Sequence, residues 1–199
     1  MKHISLTLLA TLSALATQSP VFANEEGLYG AAVPTDAAFI RWVGDSTQHR
    51  VVFDHSFDAE DIVDEAYVAV SEALLNGAQA GGFYSVVADG EGGMSVIQEP
   101  GRTDTSKVHM IMLNGKASTV SLRLAGTDTT VVTPLSGPSA GSRAVNPVSA
   151  RLAVHDHENA KDVSAFDVSL RRGQNITIAV LESGTRVIEN RFGPVVAAE

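Results

Sequence analysis

Two stretches of the chain repeat one pattern and decide the fold: YSVVADGEGGMSVIQEPG at residues 84–101 and TIAVLESGTRVIENRFG at residues 177–193. Each begins with an apolar strand, passes through an acidic turn that contains glycine, and continues with a Val-Ile strand and a further acid. Internal repetition indicates copies of one structural unit. The pattern therefore predicts two β-hairpins that close two copies of one module.

The beginnings of the two copies match as well. FIRWVGDSTQHRVVF at residues 39–53 parallels HMIMLNGKASTVSLRL at residues 109–124, because each holds an apolar strand, a polar glycine turn and a second alternating strand. Frequent short strands with glycine turns and no long helical stripe are typical of β-sandwiches. We expect an all-β fold of two tandem small β-sandwich modules, residues 28–103 and residues 107–199.

The segment DAEDIVDEAYVAVSEALLN, residues 58–76, supports two interpretations. Taken alone, its acidic beginning and its apolar residues at helical spacing predict an amphipathic helix. The duplication instead places it within a β module. We therefore expect mostly strand here, with one helical turn near Asp58.

The N-terminus has the pattern of a secretory signal peptide. A basic start with Lys2 precedes an apolar run at residues 4–16, and small residues lead to Ala23. The apolar run is shorter than the roughly twenty residues that span a bilayer. This pattern predicts a cleaved signal peptide at residues 1–23, no transmembrane segment after cleavage, and a periplasmic protein. Because the chain has no cysteine, we expect its stability to come from a buried core and not from disulfides.

The charge balance limits the partners. The chain carries 23 acidic and 14 basic side chains, for a formal net charge of −9. This charge repels nucleic acid and anionic membranes, and an acidic polysaccharide would need a local arginine patch. It favours a basic patch on a protein partner. We expect no nucleic-acid partner.

Gly44-Asp45-Ser46 resembles the opening of the nucleophile block of GDS-type esterases and acetyltransferases. A serine nucleophile needs a histidine base that is itself oriented by a third group. No histidine of the sequence has an aspartate three positions before it. The second copy has Asn114-Gly115-Lys116 at the equivalent place. We interpret Ser46 as a turn residue, and we expect no catalytic residue.

Two acidic or histidine-rich segments could hold a metal, and both have a simpler interpretation. The run HDHE at residues 155–158 places two imidazoles two positions apart, as in a metal pair, yet it reads equally as a solvated turn. The acids of residues 58–65 lack the central glycine of a calcium loop. We favour solvated segments in both cases, and we expect neither a metal site nor a cofactor.

Arg41 lies in the middle of an apolar strand, so it faces either solvent or a buried carboxylate. A paired structural role and a contact with a partner both stay open for it. The remaining aromatic candidates could stack on sugar rings, but in a β-sandwich with so few aromatic residues we expect most of them in the core: Tyr29, Trp42, Tyr67 and Tyr84.

The start of the predicted mature chain resembles a known family. LYG at residues 28–30, Pro34, and AAFIR at residues 37–41 are similar to the mature N-terminus of the alginate O-acetylation family AlgF. GPSAGSRAVNPV at residues 137–148 is similar to the Gly/Ser-Arg loop in the second half of that family. The resemblance implies a periplasmic factor required for O-acetylation of alginate or a related exopolysaccharide. The resemblance further implies that this factor acts beside membrane and periplasmic acetyltransferases.

Three functions follow from these observations. The first is a non-catalytic adaptor of O-acetylation proteins, for which we predict partner contacts at Tyr29, Arg41 and Arg143. The second is a carbohydrate-binding sandwich, which predicts exposed aromatic rings or arginines on one face, such as Arg102, Arg171 and Arg172. The third is a catalytic acetyl carrier or O-acetyltransferase subunit, which predicts a serine within reach of a histidine: Ser46 or Ser142 with His49, His55 or His157. The resemblance and the missing triad favour the adaptor.

Overall fold

The computed structural model describes residues 32–88 and 93–196, which lie in one compact unit. The predicted signal peptide at residues 1–23 lies outside these residues. The regular secondary structure of the described chain is β-strand, with two 3-10 turns at Asp45–Gln48 and Glu72–Leu74. The all-β class and its β-sandwich modules are therefore confirmed. Within the described ranges, no helix has the length and apolar character needed to cross a membrane.

The first half of the chain builds one sheet and one small ribbon. The strands of the first half are β1 (Ala37–Val43), β2 (Val51–Val52), β3 (His55–Ser56), β4 (Ala66–Ser71), β5 (Phe83–Ala88) and β6 (Met94–Glu99). Together with the last strand of the chain, β15 (Arg191–Val196), they give sheet I the order β15-β4-β1-β5-β6, and the ribbon pairs β2 with β3.

The second half builds two further sheets. Sheet II has the order β10-β7-β13-β14 and sheet III the order β12-β11-β8-β9. Their strands are β7 (Val108–Asn114), β8 (Val120–Leu124), β9 (Thr130–Leu135), β10 (Ser139–Val145), β11 (Ser149–Asp156), β12 (Lys161–Ser169), β13 (Ile176–Leu181) and β14 (Gly184–Glu189). The last strand of the chain, β15 (Arg191–Val196), returns to sheet I.

Sheets I and II share one topology. In sheet I, β1 pairs antiparallel with β4 and parallel with β5, and β5 forms a hairpin with β6. In sheet II, β7 pairs antiparallel with β10 and parallel with β13, and β13 forms a hairpin with β14. Two copies of one module would produce this correspondence. The module boundaries at residues 103 and 107 stay a prediction, and β15 belongs in space to the first sheet.

The sheets stack as layers around three apolar clusters. Sheets II and III enclose the first cluster, which includes Met112, Leu122 and Leu152. The ribbon and its loops cover one face of sheet I through the second cluster, which includes Trp42 and Phe57. The third cluster joins the other face of sheet I to sheet II, so the two halves of the chain share a core.

Residues 58–76 contain one strand, at residues 66–71, and not the helix that their spacing alone predicts; the strand covers less of the segment than expected. Ala66–Ser71 is β4, and all six of its residues are buried between β1 and β15. Sheet pairing thus overrides the helical spacing, as the duplication predicts. A 3-10 turn follows at Glu72–Leu74, and at the predicted position near Asp58 the chain makes a single turn, in which the Asp61 amide donates to the Asp58 carbonyl oxygen at 3.2 Å.

The Gly/Ser-Arg segment is a strand instead of the predicted loop. Residues 139–145 form β10 and pair with β7 along their whole length. A Cβ atom at Gly141 would lie 3.0 Å from Leu135 and 3.1 Å from Val132. Glycine therefore lets this strand approach β9 closely.

Candidate functional site

Arg41 lies at the centre of a buried polar network between sheets I and II. Its side chain is completely buried and points from β1 toward β13. The guanidinium donates hydrogen bonds from Nε to Ser85 Oγ (2.8 Å), from Nη1 to Asn190 Oδ1 (3.0 Å), and from Nη2 to Glu99 Oε1 and Thr177 Oγ1 (both 2.8 Å). The network therefore connects both halves of the chain.

Glu99 is the carboxylate that pairs with Arg41, and it also pairs with a second arginine. Arg102 Nη2 donates to Glu99 Oε2 at 2.6 Å. The hydroxyl groups of Tyr67 (2.8 Å) and Ser85 (2.6 Å) donate to the same carboxylate. Two guanidinium groups thus share one buried carboxylate, whose lone pairs are well satisfied.

The electrostatics of the network keep its groups in fixed protonation states. Burial by itself raises the pKa of Glu99, but the charges of Arg41 and Arg102 and the hydrogen bonds from Ser85 and Tyr67 hold that pKa below its ordinary value of 4.5. Burial and the Glu99 charge raise the pKa of the Tyr67 hydroxyl. Glu99 is therefore an anion, and Tyr67 a hydrogen-bond donor, at neutral pH.

An aromatic cluster connects this network to the surface. Phe39 stacks on Phe83 with ring centroids 4.7 Å apart, and Phe192 meets Phe39 edge to face with ring centroids 5.5 Å apart. The Arg102 guanidinium carbon lies 3.8 Å from the centre of the Phe83 ring, a cation–π contact. Phe192, on β15, is 64% exposed. The aromatic cluster thus has a buried side at Arg102 and a solvent side at Phe192.

The three residues for which a partner contact is predicted differ in what the structure shows of them. Tyr29 lies outside the described residues. Arg41 is buried and fully paired, so the paired structural alternative describes its position in this chain. Arg143 is exposed on β10, the outer strand of sheet II, and its side chain has no hydrogen bond or ion pair within the described residues. Of the two described residues, Arg143 is therefore the one that a partner can reach.

The aromatic and arginine candidates for sugar binding differ in their exposure to solvent. Trp42, Tyr67 and Tyr84 are buried at 4% exposure or less. The Arg102 side chain is 7% exposed, whereas Arg171 and Arg172 are exposed beside the turn at Gly173.

Ser46 is a buried turn residue. Its hydroxyl lies 3.1 Å from the carbonyl oxygen of Val43 and 3.0 Å from that of Val86, and donates to them. Gly44 precedes it with a φ of 69°, and a Cβ atom there would lie 2.9 Å from Leu181 Cδ1. Glycine is thus required both by the backbone and by the close packing of sheet II.

One serine hydroxyl contacts a histidine ring, although it belongs to neither Ser46 nor Ser142. Ser121 Oγ lies 2.9 Å from His157 Nε2. Ser121 is completely buried, and within the described residues no carboxylate contacts His157. A nucleophile must reach its substrate and its base must be oriented, so this pair lacks both requirements of a triad.

The outer face of sheet III carries a polar cleft of about 330 Å³. His155 Nδ1 lies 3.0 Å from Asp162 Oδ1 at this cleft, and Arg123 and Lys161 also line it. Among the described residues, no group of three or more histidine or acidic side chains is placed to hold a metal ion. The two imidazoles of His155 and His157 contact each other edge to face, 5.1 Å apart.

Sequence reasoning missed most members of the network. The mid-strand position of Arg41 indicates a buried carboxylate, but not which one. Glu99 is the acid that ends the first repeated hairpin, so the repeat gave a usable signal for it. Phe192 shows no signal in the sequence, because its neighbours Phe39 and Phe83 come from distant parts of the chain, whereas Glu99, the ion-pair partner of Arg102, lies only three positions before it.

Comparison of the sequence with known proteins identifies a family. The family described as "Alginate O-acetyl transferase AlgF" matches residues 7–177. The chain is 27% identical to the alginate biosynthesis protein AlgF of Pseudomonas aeruginosa, over 83% of this chain and 82% of that protein. It is 26% identical to the protein of the same name from Pseudomonas putida, over 96% and 92% of the two chains.

A solved structure shows a partial similarity. The C-terminal domain of AlgF from P. aeruginosa is matched at 26% identity with a TM-score of 0.35, over 42% of this chain and 96% of that domain.

Proposed function

Because the chain belongs to the AlgF family, we propose that it is an accessory protein required for O-acetylation of alginate or a related exopolysaccharide. It acts as an adaptor that holds acetyltransferases together and does not transfer the acetyl group itself. Its partners are the periplasmic and inner-membrane proteins of polysaccharide O-acetylation. It works in the periplasm, in agreement with the signal-peptide pattern of residues 1–23.

The observation that supports an adaptor over a transferase is the burial of the Ser121 hydroxyl. Among the described residues, Ser121 provides the one hydrogen bond between a serine hydroxyl and a histidine ring, and its exposure is 0%. An acetyl donor cannot reach this oxygen without opening sheet III. Outer strands such as β10, with the exposed Arg143, offer surfaces on which proteins dock instead.

A carbohydrate-binding role is the second candidate, and the aromatic cluster favours it. Phe192 is 64% exposed beside Phe39 and Phe83, and rings of this kind can lie against sugars. This role predicts that Phe192→Ala abolishes binding of alginate oligosaccharides, measured by titration calorimetry. The adaptor role predicts that neither the wild-type protein nor Phe192→Ala gives measurable heat on titration with these oligosaccharides.

Polymer acetylation in a strain that lacks the gene tests the proposed function. Complementation with the wild-type gene restores acetyl groups if the protein is required. Ser121→Ala and Ser46→Ala restore them equally if it is not a transferase. The measurement is the acetyl content of purified polymer, with the amount of exported protein checked by immunoblot.

Two outcomes would contradict the proposal. If the deletion leaves the acetyl content unchanged, the protein is not required for acetylation. If Ser121→Ala is exported in a folded form and still fails to restore acetyl groups, the protein handles acetyl directly.

A further inference from the structure

An open groove lies between the outer strands of sheets II and III. β14 ends sheet II and β12 ends sheet III, so each has one side without a neighbouring strand among the described residues. The Ser164 hydroxyl donates to Thr185 Oγ1 at 2.9 Å and joins the two strands at one end. Farther along both strands lies a cavity of about 210 Å³, which we call the β12–β14 groove.

The floor of the β12–β14 groove is apolar. Val168, Leu170 and Ile176 line it, and they belong to the core between the two sheets. Val187 on β14 also lines the groove, and it is 47% exposed. An aliphatic side chain of a ligand would therefore remove apolar surface from water on both partners.

The rim of the groove is acidic. Asp167 and Glu189 are the charged residues that line it, and no basic residue does. Arg151 Nη1 lies 3.4 Å from Asp167, but both side chains are more than half exposed. Glu189 accepts a hydrogen bond of 3.2 Å from Gln174 and has no ion pair within the described residues. A cationic ligand thus complements this rim.

Strand β14 is the better template of the two edges. Its pairing with β13 runs from Gly184 to Glu189 without a shift in register. The pairing of β12 with β11 contains a shift at residues 154 and 155. A regular edge offers an unbroken row of backbone donors and acceptors to an added strand.

We propose that the β12–β14 groove binds an extended, basic segment of a protein partner, which adds as a strand to β14. Aliphatic side chains of that segment contact Val187 and the groove floor, and its Lys or Arg side chains pair with Asp167 and Glu189. The identification of the partner as an O-acetylation protein rests on the function proposed above. The groove itself is defined by its own geometry and charge.

A defined peptide tests the groove directly. The probe is an acetylated and amidated heptapeptide of alternating Lys and Val, and its control has Glu in place of each Lys. We expect the basic peptide to shift the backbone amide signals of residues 185–189 saturably in NMR spectra of the full mature chain. We expect the acidic peptide to bind with an affinity at least tenfold lower, which corresponds to a difference of about 1.4 kcal/mol in the free energy of binding.

Matched variants show whether the peptide uses the groove. Val187→Glu and the double variant Asp167→Lys, Glu189→Lys should each lower the affinity for the basic peptide by roughly tenfold or more. Val163→Glu is the control, because Val163 is 46% exposed on β12 but does not line the groove. Equal weakening by Val163→Glu, equal binding of the acidic peptide, or shifts confined to other strands would each overturn the proposal.

The same variants in the deletion strain connect the groove to acetylation. We expect the charge-reversed variant to leave the acetyl content at the level of the deletion strain, whereas Val163→Glu restores it. Full restoration by the charge-reversed variant would overturn the groove as the docking site while leaving the proposed function intact. Concentration-dependent dimers that Val187→Glu disrupts would identify a second copy as the occupant, which also overturns it. If the deletion itself has no effect, the proposed function fails and the peptide binding still decides the groove.

Discussion

At the scale of single residues, Arg41 connects sheet I to sheet II through its buried side chain. It reaches Ser85 and Glu99 within sheet I, Thr177 in sheet II, and Asn190 between β14 and β15. Such a group stabilises only while all its partners are present, because a buried charge without its counter-charge is costly.

Removal of the Arg41 charge should therefore destabilise the protein strongly. We expect Arg41→Met to lower the free energy of unfolding by about 3–5 kcal/mol, because it leaves Glu99 with one guanidinium partner. The control Arg143→Met, at an exposed and unpaired arginine, should change it by less than about 0.5 kcal/mol. Urea unfolding measures both. A small effect of Arg41→Met would show that Arg102 alone satisfies the carboxylate.

The lowered pKa of Glu99 predicts acid sensitivity with a definite sign. Because the folded state holds this pKa below 4.5, its contribution to stability is complete above pH 4.5 and is lost as the pH falls through the folded-state pKa. We expect the free energy of unfolding to decrease with acidification in this window.

Glu99→Gln should flatten this acid dependence. Asp104 and Asp156 also have lowered pKa values, from hydrogen bonds with Ser106 and Asn159, so part of the slope should remain. Urea unfolding between pH 3 and pH 6 provides the comparison. An unchanged slope in Glu99→Gln would mean that Glu99 does not carry the linkage.

At the scale of elements, β10 shows how a segment that reads as a loop becomes a strand. Its sequence SAGSRAV has few β-formers, yet all seven residues pair with β7, which is buried along its length. The close approach of Gly141 to Leu135 and Val132 makes this packing possible.

Gly141 should therefore tolerate no larger residue. We expect Gly141→Ala to lower the free energy of unfolding by about 1–3 kcal/mol, because the added methyl group overpacks the contact with β9. Gly101→Ala is the control, since Gly101 has no atom within 4 Å of the added Cβ and no positive φ. That variant should be neutral or more stable by up to about 1 kcal/mol. Equal thermal shifts for the two variants would contradict the close contact.

At the scale of the whole molecule, the cluster between sheets I and II determines whether the halves unfold together. Val43, Val87 and Ile97 of sheet I meet Leu181 and Ile188 of sheet II in this cluster. The cluster and the Arg41 network lie in one interface. We therefore expect one cooperative unfolding transition.

A destabilising substitution in the second half of the chain should therefore also lower the stability of the first half. Trp42, the one tryptophan of the chain, lies buried in sheet I and reports on that half. Leu181→Ala, at a residue that is 6% exposed, should lower the free energy of unfolding by about 2–5 kcal/mol. The unfolding midpoints followed by Trp42 fluorescence and by far-UV circular dichroism should fall together. Val148→Ala, 48% exposed, is the control and should shift neither. Two separate transitions would show that the halves unfold independently.

The sequence by itself determined the all-β class, the repeated hairpins and the family. These features depend on local patterns: alternation of apolar residues, glycine turns at fixed places, and short motifs such as residues 37–41. Ser46 was also recognisable as a turn residue, because its environment is built from neighbours such as Gly44 and Val43.

Only the tertiary structure decided how the two halves meet. The partners of Arg41 lie 44 to 149 positions away along the chain, and Phe192 reaches Phe39 across nearly the whole described length. The β12–β14 groove likewise exists because two sheets end side by side. Contacts between distant residues depend on how completed sheets stack, and local propensities carry no information about that stacking.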